Sequence, residues 1–304
     1  RGDAKIKNVF MQHIPEGATQ RLLLEKGDID IGRELTPTDL EGLAGNADVK
    51  IQSDVGGQVY YLALNQKKEE LANPKVQEAM RWAIDYTGMQ DSILKGLWVV
   101  HQTFLPQGFL GALDENPYSL DIEKAKALLA ESGLTLPIEI GFTVRNNQER
   151  MDIATSIQNT FAQVGINLVL DVGDGKQGLE TYRGRKHDIT LQTWGPDYPD
   201  PHTNASTFAL NPDNSDAANA TGYLAWRTAW DPGADLNAET AAAVEEKDSA
   251  KRAEMYGDIQ RKVRDSSAFV LMFQQARQDA MRANVSGFYA GGATDSASYW
   301  TVTK

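Results

Sequence analysis

The chain has 304 residues, enough to bury a large core and to divide into two lobes, and no apolar run approaches the roughly 20 residues a membrane-spanning helix needs. A net charge of −12 without a basic stretch argues against nucleic acid, whose phosphates require a lysine- and arginine-rich face. The absence of cysteine excludes disulfides, thiolate metal sites and cysteine nucleophiles.

The opening RGD reads as a chance tripeptide rather than an adhesion motif, and no basic-then-apolar leader follows it. KIKNVFMQHI (5–14) alternates apolar and polar residues and predicts a strand. TPTDLEGLAG (36–45) predicts a short helix with Thr36 as cap and Pro37 at its first position. QVYYLALN (58–65) predicts a second strand, rich in aromatic and branched residues. NPKVQEAMRWAID (73–85) carries Asn73 as cap, Pro74 as starter and a core stripe through Val76, Ala79, Met80, Ala83 and Ile84. TGMQDSILKG (87–96) predicts a further helix capped by Thr87.

After a turn-rich stretch the pattern changes. Helix (121–133), strand (137–144), helix (149–165), strand (166–173), helix (176–185) and strand (187–194) follow in turn. That alternation predicts an α/β fold with a mostly parallel sheet covered by helices. Residues 211–235 read as irregular. Helices are expected over 238–246 and 249–266, a buried strand over 268–275, and one last strand in the turn-rich tail.

QTWGPDYPDPHTN (192–204) follows the last strand of the alternating region, where open α/β sheets bind ligands beyond their carboxyl ends. Three prolines stiffen it, and it carries Asp197 and Asp200 among Trp194, Tyr198 and His202. Two carboxylates could form an acid–base pair with His202 as helper or metal ligand. They could equally cap backbone N–H groups in a turn. A third reading is a preformed anionic spot beside aromatic faces, suited to an ammonium group. The four histidines, His13, His101, His187 and His202, have no metal-binding spacing. GDGKQG lacks the phosphate-loop pattern, and no serine stands in a nucleophile elbow. Arg145, Arg183 and Arg185 could receive an anionic group. Trp226 and Trp230 read as packing residues.

IPEGATQRLLLEKGDIDIG, VYYLALNQKKEELANPKVQEAMRWAID, LDIEKAKALLAESGL, HDITLQTWGPDYPDP and KRAEMYGDIQRKVRDSSAFVLM occur in that order. Together they resemble the solute-binding proteins of peptide, dipeptide and nickel ABC importers, the extracytoplasmic family 5. The resemblance covers nearly the whole chain. It implies a periplasmic-binding-protein-like two-lobed clamp of α/β lobes, here a fragment lacking the N-terminal part, with one lobe complete and one partial. Residues 1–104 then form the later part of lobe I, 105–277 lobe II, and 278–304 the return to lobe I.

In peptide binders of this family an aspartate in a W-x-x-D segment pairs with the ligand's α-ammonium. The matching positions are Trp194 and Asp197. Trp194 and Tyr198 would line the pocket, and the backbone from Gln192 to Gly195 would pair with an extended peptide. Arg145, Arg183 and Tyr61 are secondary candidates. The implied role is the capture of an oligopeptide or dipeptide and its delivery to a membrane permease, as a monomer in the periplasm or cell envelope, with no cofactor and no catalysis. The alternatives are a sugar, an opine, a nickel chelate or haem as solute, a hydrolase using Asp197 and Asp200, and a receptor domain acting through a protein partner.

Overall fold

The computed structural model describes residues 3–291 and 296–304. The opening tripeptide thus lies largely outside the described residues, as does part of the tail. Residues 3–16 have no regular structure, which corrects the strand expected over 5–14. A strand must pair its backbone N–H and C=O groups, and no neighbouring strand among the described residues reaches this segment. Phe10 is 90% exposed there.

Helix α1 (Gly17–Lys26) follows, then β1 (Ile31–Gly32) and α2 (Pro37–Leu43). Helix α2 starts as its sequence predicts: the Thr36 hydroxyl accepts from the Asp39 amide, and the Asp39 carboxylate accepts from the Thr36 amide. Strand β2 (Val49–Leu64) is twice the expected length. Helices α3 (Glu69–Ala72), α4 (Pro74–Trp82) and α5 (Tyr86–Asp91) lead to β3 (Trp98–Val100). Asn73 caps α4, as expected. The cap of α5 is Asp85, whose carboxylate accepts from Gly88 N, and not Thr87, which lies inside the helix.

The alternating region matches its prediction closely. It comprises α6 (Ile122–Glu131), β4 (Ile138–Arg145), α7 (Gln148–Val164), β5 (Ile166–Gly173), α8 (Gly175–Arg183) and β6 (Ile189–Trp194). Asp121 caps α6, and Gly165 ends α7 with φ 90°, a left-handed geometry that glycine adopts without strain. The remaining elements are α9 (His202–Phe208), α10 (Leu224–Arg227), α11 (Gly233–Glu245), α12 (Ser249–Ser266), β7 (Phe269–Arg282), β8 (Tyr289–Gly291) and β9 (Ser296–Ser298).

The main sheet has the order β1-β7-β2-β6-β4-β5, with β3 on β7. Strand β4 runs parallel to both β5 and β6, whereas β2 is antiparallel to β6 and β7. The sheet is therefore mixed rather than mostly parallel. The alternating pattern governs only three strands, and the long β2 and β7 complete the sheet from outside it.

The largest core runs from Val59 to Phe273 and includes Phe142, Phe161, Ile189, Phe208 and Phe269, all fully buried. Two smaller clusters lie apart, one built on Leu24, Leu35, Leu40 and Leu43, the other on Met281, Val285 and Phe288. Strands β2 and β7 pass from the large core to the small ones. Their pairing register shifts between Val55 and Val59, the stretch that holds Gly56 and Gly57.

Candidate functional site

The chain leaves β4 through α7 to reach β5 on one side, then returns through α8 to β6 on the other. Successive connections thus depart in opposite directions at the β4–β6 junction, the position where open α/β sheets form a crevice. The two strands pair only at Phe142 with Ile189 and at Thr143 with Thr190. Beyond that they separate, and a cavity of about 200 Å³ lies between them, lined by Thr143, Arg145, Arg150, Gly175, Thr190, Gln192 and their neighbours.

Two arginines and no carboxylate line this cavity. Arg150 is buried and committed: Nη1 donates to Leu191 O at 2.8 Å and Nη2 to Thr193 Oγ1 at 3.1 Å, with the guanidinium 5.2 Å from the Tyr60 ring centre. Arg145 is exposed, and among the described residues it has no ion pair. Its guanidinium lies against the first residue of α8, so that a Cβ on Gly175 would sit 3.0 Å from Arg145 Nε. The α8 N-terminus is capped by Asp174, whose Oδ1 accepts from the Gln177 amide at 2.8 Å, so the positive field of the cavity comes from the two arginines. The cavity suits an anionic group.

The loop after β6 carries the opposite charge, and the structure separates its two aspartates. Asp200 is fully engaged. Arg252 of α12 donates from Nη1 to Oδ2 and from Nη2 to Oδ1, both at 2.9 Å, and the His202 amide donates to Oδ1 at 2.8 Å. Partial burial raises its pKa, but the guanidinium and the amide together outweigh this and hold the carboxyl below its ordinary range. Asp197 is exposed; its amide donates to Thr203 Oγ1 at 3.3 Å, and its carboxylate has no partner among the described residues.

Trp194 is half-buried at the edge of the main core and sits opposite Val59 in the sheet. Tyr198 is 47% exposed beside Asp197. Gln192 lines the cavity and donates from Nε2 to Thr190 Oγ1 at 2.9 Å, while Gly195 closes against Gln58. Of the residues the sequence singled out, Gln192 and Arg145 thus line the cavity together; Trp194 ends β6, and Gly195, Asp197 and Tyr198 follow it in the loop, outside the cavity lining.

Two secondary candidates lie elsewhere. Tyr61 is buried in the core, edge-on to Phe208 and Phe269, and burial pushes its hydroxyl up to about 12. Arg183 is exposed at the far end of α8, roughly 12 Å along the helix from Gly175 at 1.5 Å per residue. Arg185 is structural: it is buried, stacks 4.0 Å over the Trp226 ring and donates to Trp226 O and to Asn214 and Asp216. Sequence reasoning missed Arg150 and Arg252. Each looks like one more polar residue on an amphipathic helix.

The chain belongs to the bacterial extracellular solute-binding proteins of family 5: residues 1–216 match the middle region of that family. Among curated relatives, it is 28% identical over 93% of its length to a probable D,D-dipeptide-binding periplasmic protein of Escherichia coli, and 28% identical over 87% to the nickel-binding periplasmic protein of the same organism. It spans about half the length of these relatives, 53% and 52%. Among solved structures, 95% of the chain superposes on 55% of a periplasmic binding protein from Helicobacter pylori in complex with the peptide STSA, with a TM-score of 0.82 and 21% identity. A dipeptide-binding protein from Pseudoalteromonas in complex with Met-Leu gives a TM-score of 0.80 at 20% identity, over 96% of this chain and 57% of that one. The fold is therefore that of the periplasmic binding proteins.

Proposed function

We propose that the chain is part of the substrate-binding component of an ABC importer and holds a short peptide by its two charged ends. The observation that carries this reading is the contrast inside one loop. Asp200 is consumed by Arg252 and the His202 amide, whereas the Asp197 carboxylate, in the loop after β6, has no partner among the described residues. The peptide's ammonium would pair with Asp197 and its carboxylate would enter the Arg145 side of the cavity. Its main chain would lie along residues 192–195, where β6 no longer pairs with β4. The names of the relatives support a peptide and a periplasmic setting. Binding without conversion follows from the same contrast, because the acid–base pair weighed for this loop would need Asp200 free.

We place the passage between lobes at the β2 register shift near Gly56 and the facing part of β7, where the cores part, rather than at residue 104. The protein would act as a monomer in the periplasm or cell envelope and deliver its solute to a permease made of other chains.

Titration calorimetry of the intact protein tests this. Dialanine should bind, and Asp197→Asn should weaken it by about 30-fold or more, the cost of leaving a desolvated ammonium unpaired. N-acetyl-dialanine, which lacks the ammonium, should bind both forms equally. Equal affinity of dialanine for both proteins refutes the anchor. Tight binding of a neutral sugar would favour the non-peptide alternative.

A further inference from the structure

We infer that Arg252, on α12 and outside the cavity, is a positioning residue that fixes the loop carrying Asp197 and so sets the affinity for ligands with an ammonium group. This inference rests on the peptide reading above. Arg252 is not among the residues that line the cavity. Its guanidinium is a planar fork, and both arms close on Asp200 at 2.9 Å. Its third nitrogen, Nε, donates to Ala243 O of α11 at 3.1 Å. Arg252 therefore ties the loop to two helices at once.

Further contacts complete the clamp. Tyr256, one turn along α12, takes part in hydrogen bonds with Arg252 Nη2 at 3.4 Å and His202 Nδ1 at 3.2 Å. Asp200 O accepts from the Thr203 amide at 3.1 Å, and the Thr203 hydroxyl accepts from the Asp197 amide at 3.3 Å. The path from Arg252 to Asp197 is thus Asp200, Thr203, then the Asp197 backbone. The Arg252 side chain is 16% exposed and that of Asp200 34%, so the pair is shielded enough to hold its geometry. Without it, Pro199 and Pro201 still stiffen the chain and Tyr256 still meets His202, but the Asp200 carboxylate is no longer held against α12. Asp197 would then have to be ordered by the ligand itself, at the ligand's expense in affinity.

The experiment is a double-mutant cycle in the intact protein, with affinities for dialanine and N-acetyl-dialanine measured on wild type, Arg252→Gln, Asp197→Asn and the double variant. Arg252→Gln should weaken dialanine about tenfold, the effect of losing a preordered loop, and leave N-acetyl-dialanine unchanged. On the Asp197→Asn background the same substitution should have no further effect. Arg252→Lys keeps a cation beside Asp200 without the fork and should fall between; if Arg252→Gln does not fold, the lysine variant carries the same cycle. An equal loss for both ligands, or a loss that persists without Asp197, overturns the proposal and leaves Arg252 a fold-stabilising residue. Unchanged dialanine affinity in both Arg252 variants, with Asp197→Asn still damaging, overturns this inference alone. No effect of Asp197→Asn overturns the peptide reading and this inference with it.

Discussion

His187 should make the protein lose stability as the pH falls from about 6.5 to about 4, and His187→Leu should remove that loss. The residue precedes β6 and is 2% exposed, with neither ring nitrogen hydrogen-bonded among the described residues. The Tyr182 ring packs edge-on at 5.0 Å. Burial pulls the imidazole down from its ordinary 6.5 to about 4, partly offset by Asp188. The unfolded chain takes up the proton near pH 6.5 and the folded chain only near 4. Between those values the unfolded state binds more protons, so stability falls with pH and levels off below the folded value. A gap of about 2.5 pH units at about 1.4 kcal/mol each gives roughly 3.5 kcal/mol. Urea unfolding of wild type and His187→Leu at pH 7.5 and pH 4.5 checks this. The leucine variant should match or exceed wild type at pH 7.5, since it removes two buried polar atoms without partners. Its advantage should grow by about 2.5 kcal/mol at pH 4.5. Other titrating groups contribute equally to both proteins and cancel in the difference. A difference that does not change with pH would show that the ring is hydrated or paired, and that its burial does not govern its titration.

Two further substitutions probe the scaffold and the cavity. Phe142→Ala removes a fully buried ring where β4 meets β6 and should cost about 3–5 kcal/mol, read as a lower urea midpoint with an unchanged slope. Gly175→Ala should leave stability equal or higher, because alanine is the better helix former, yet displace the Arg145 guanidinium that lies 3.0 Å from the new methyl. Dialanine should then lose about fivefold in affinity while its C-terminal amide is unaffected; an equal change for both would remove Arg145 from the site.

Local signals were legible where the structure is local. Asn73, Asp121 and Thr36 cap their helices because each side chain meets an amide two or three residues on, within reach of any chain that turns there. The alternating region was legible because each strand is apolar and each helix ends on a recognisable stop. Features that depend on distant partners were not. Residues 5–14 have a strand's alternation without a strand to pair with. Strand β2 runs on through VKIQSDVGG because β7 lies beside it over that length, although the stretch is too polar to announce burial. The loop after β6 was legible from its prolines and its place after a strand. Strand parity decided the tyrosines: Tyr61 faces Phe208 and Phe269, while its neighbour Tyr60 meets Arg150 and donates to Glu149 at 2.7 Å.

The two aspartates of the loop show why residue type and spacing alone could not assign the chemistry. Asp197 and Asp200 share a loop, a charge and a set of proline neighbours, and in sequence each fits an acid, a cap or an anchor. What separates them is a guanidinium 52 positions further on, brought to Asp200 by the packing of α12 against α9. A carboxylate held by a forked arginine and a helix-start amide has little capacity left for a ligand or a proton. A carboxylate three residues earlier, with only its backbone tied down, keeps that capacity. The same fold step that spends one acid on the scaffold therefore leaves the other exposed in the loop that follows β6. Under the peptide reading proposed above, a zwitterion would use both that acid and the cavity arginine, and neither a neutral sugar nor a bare anion would.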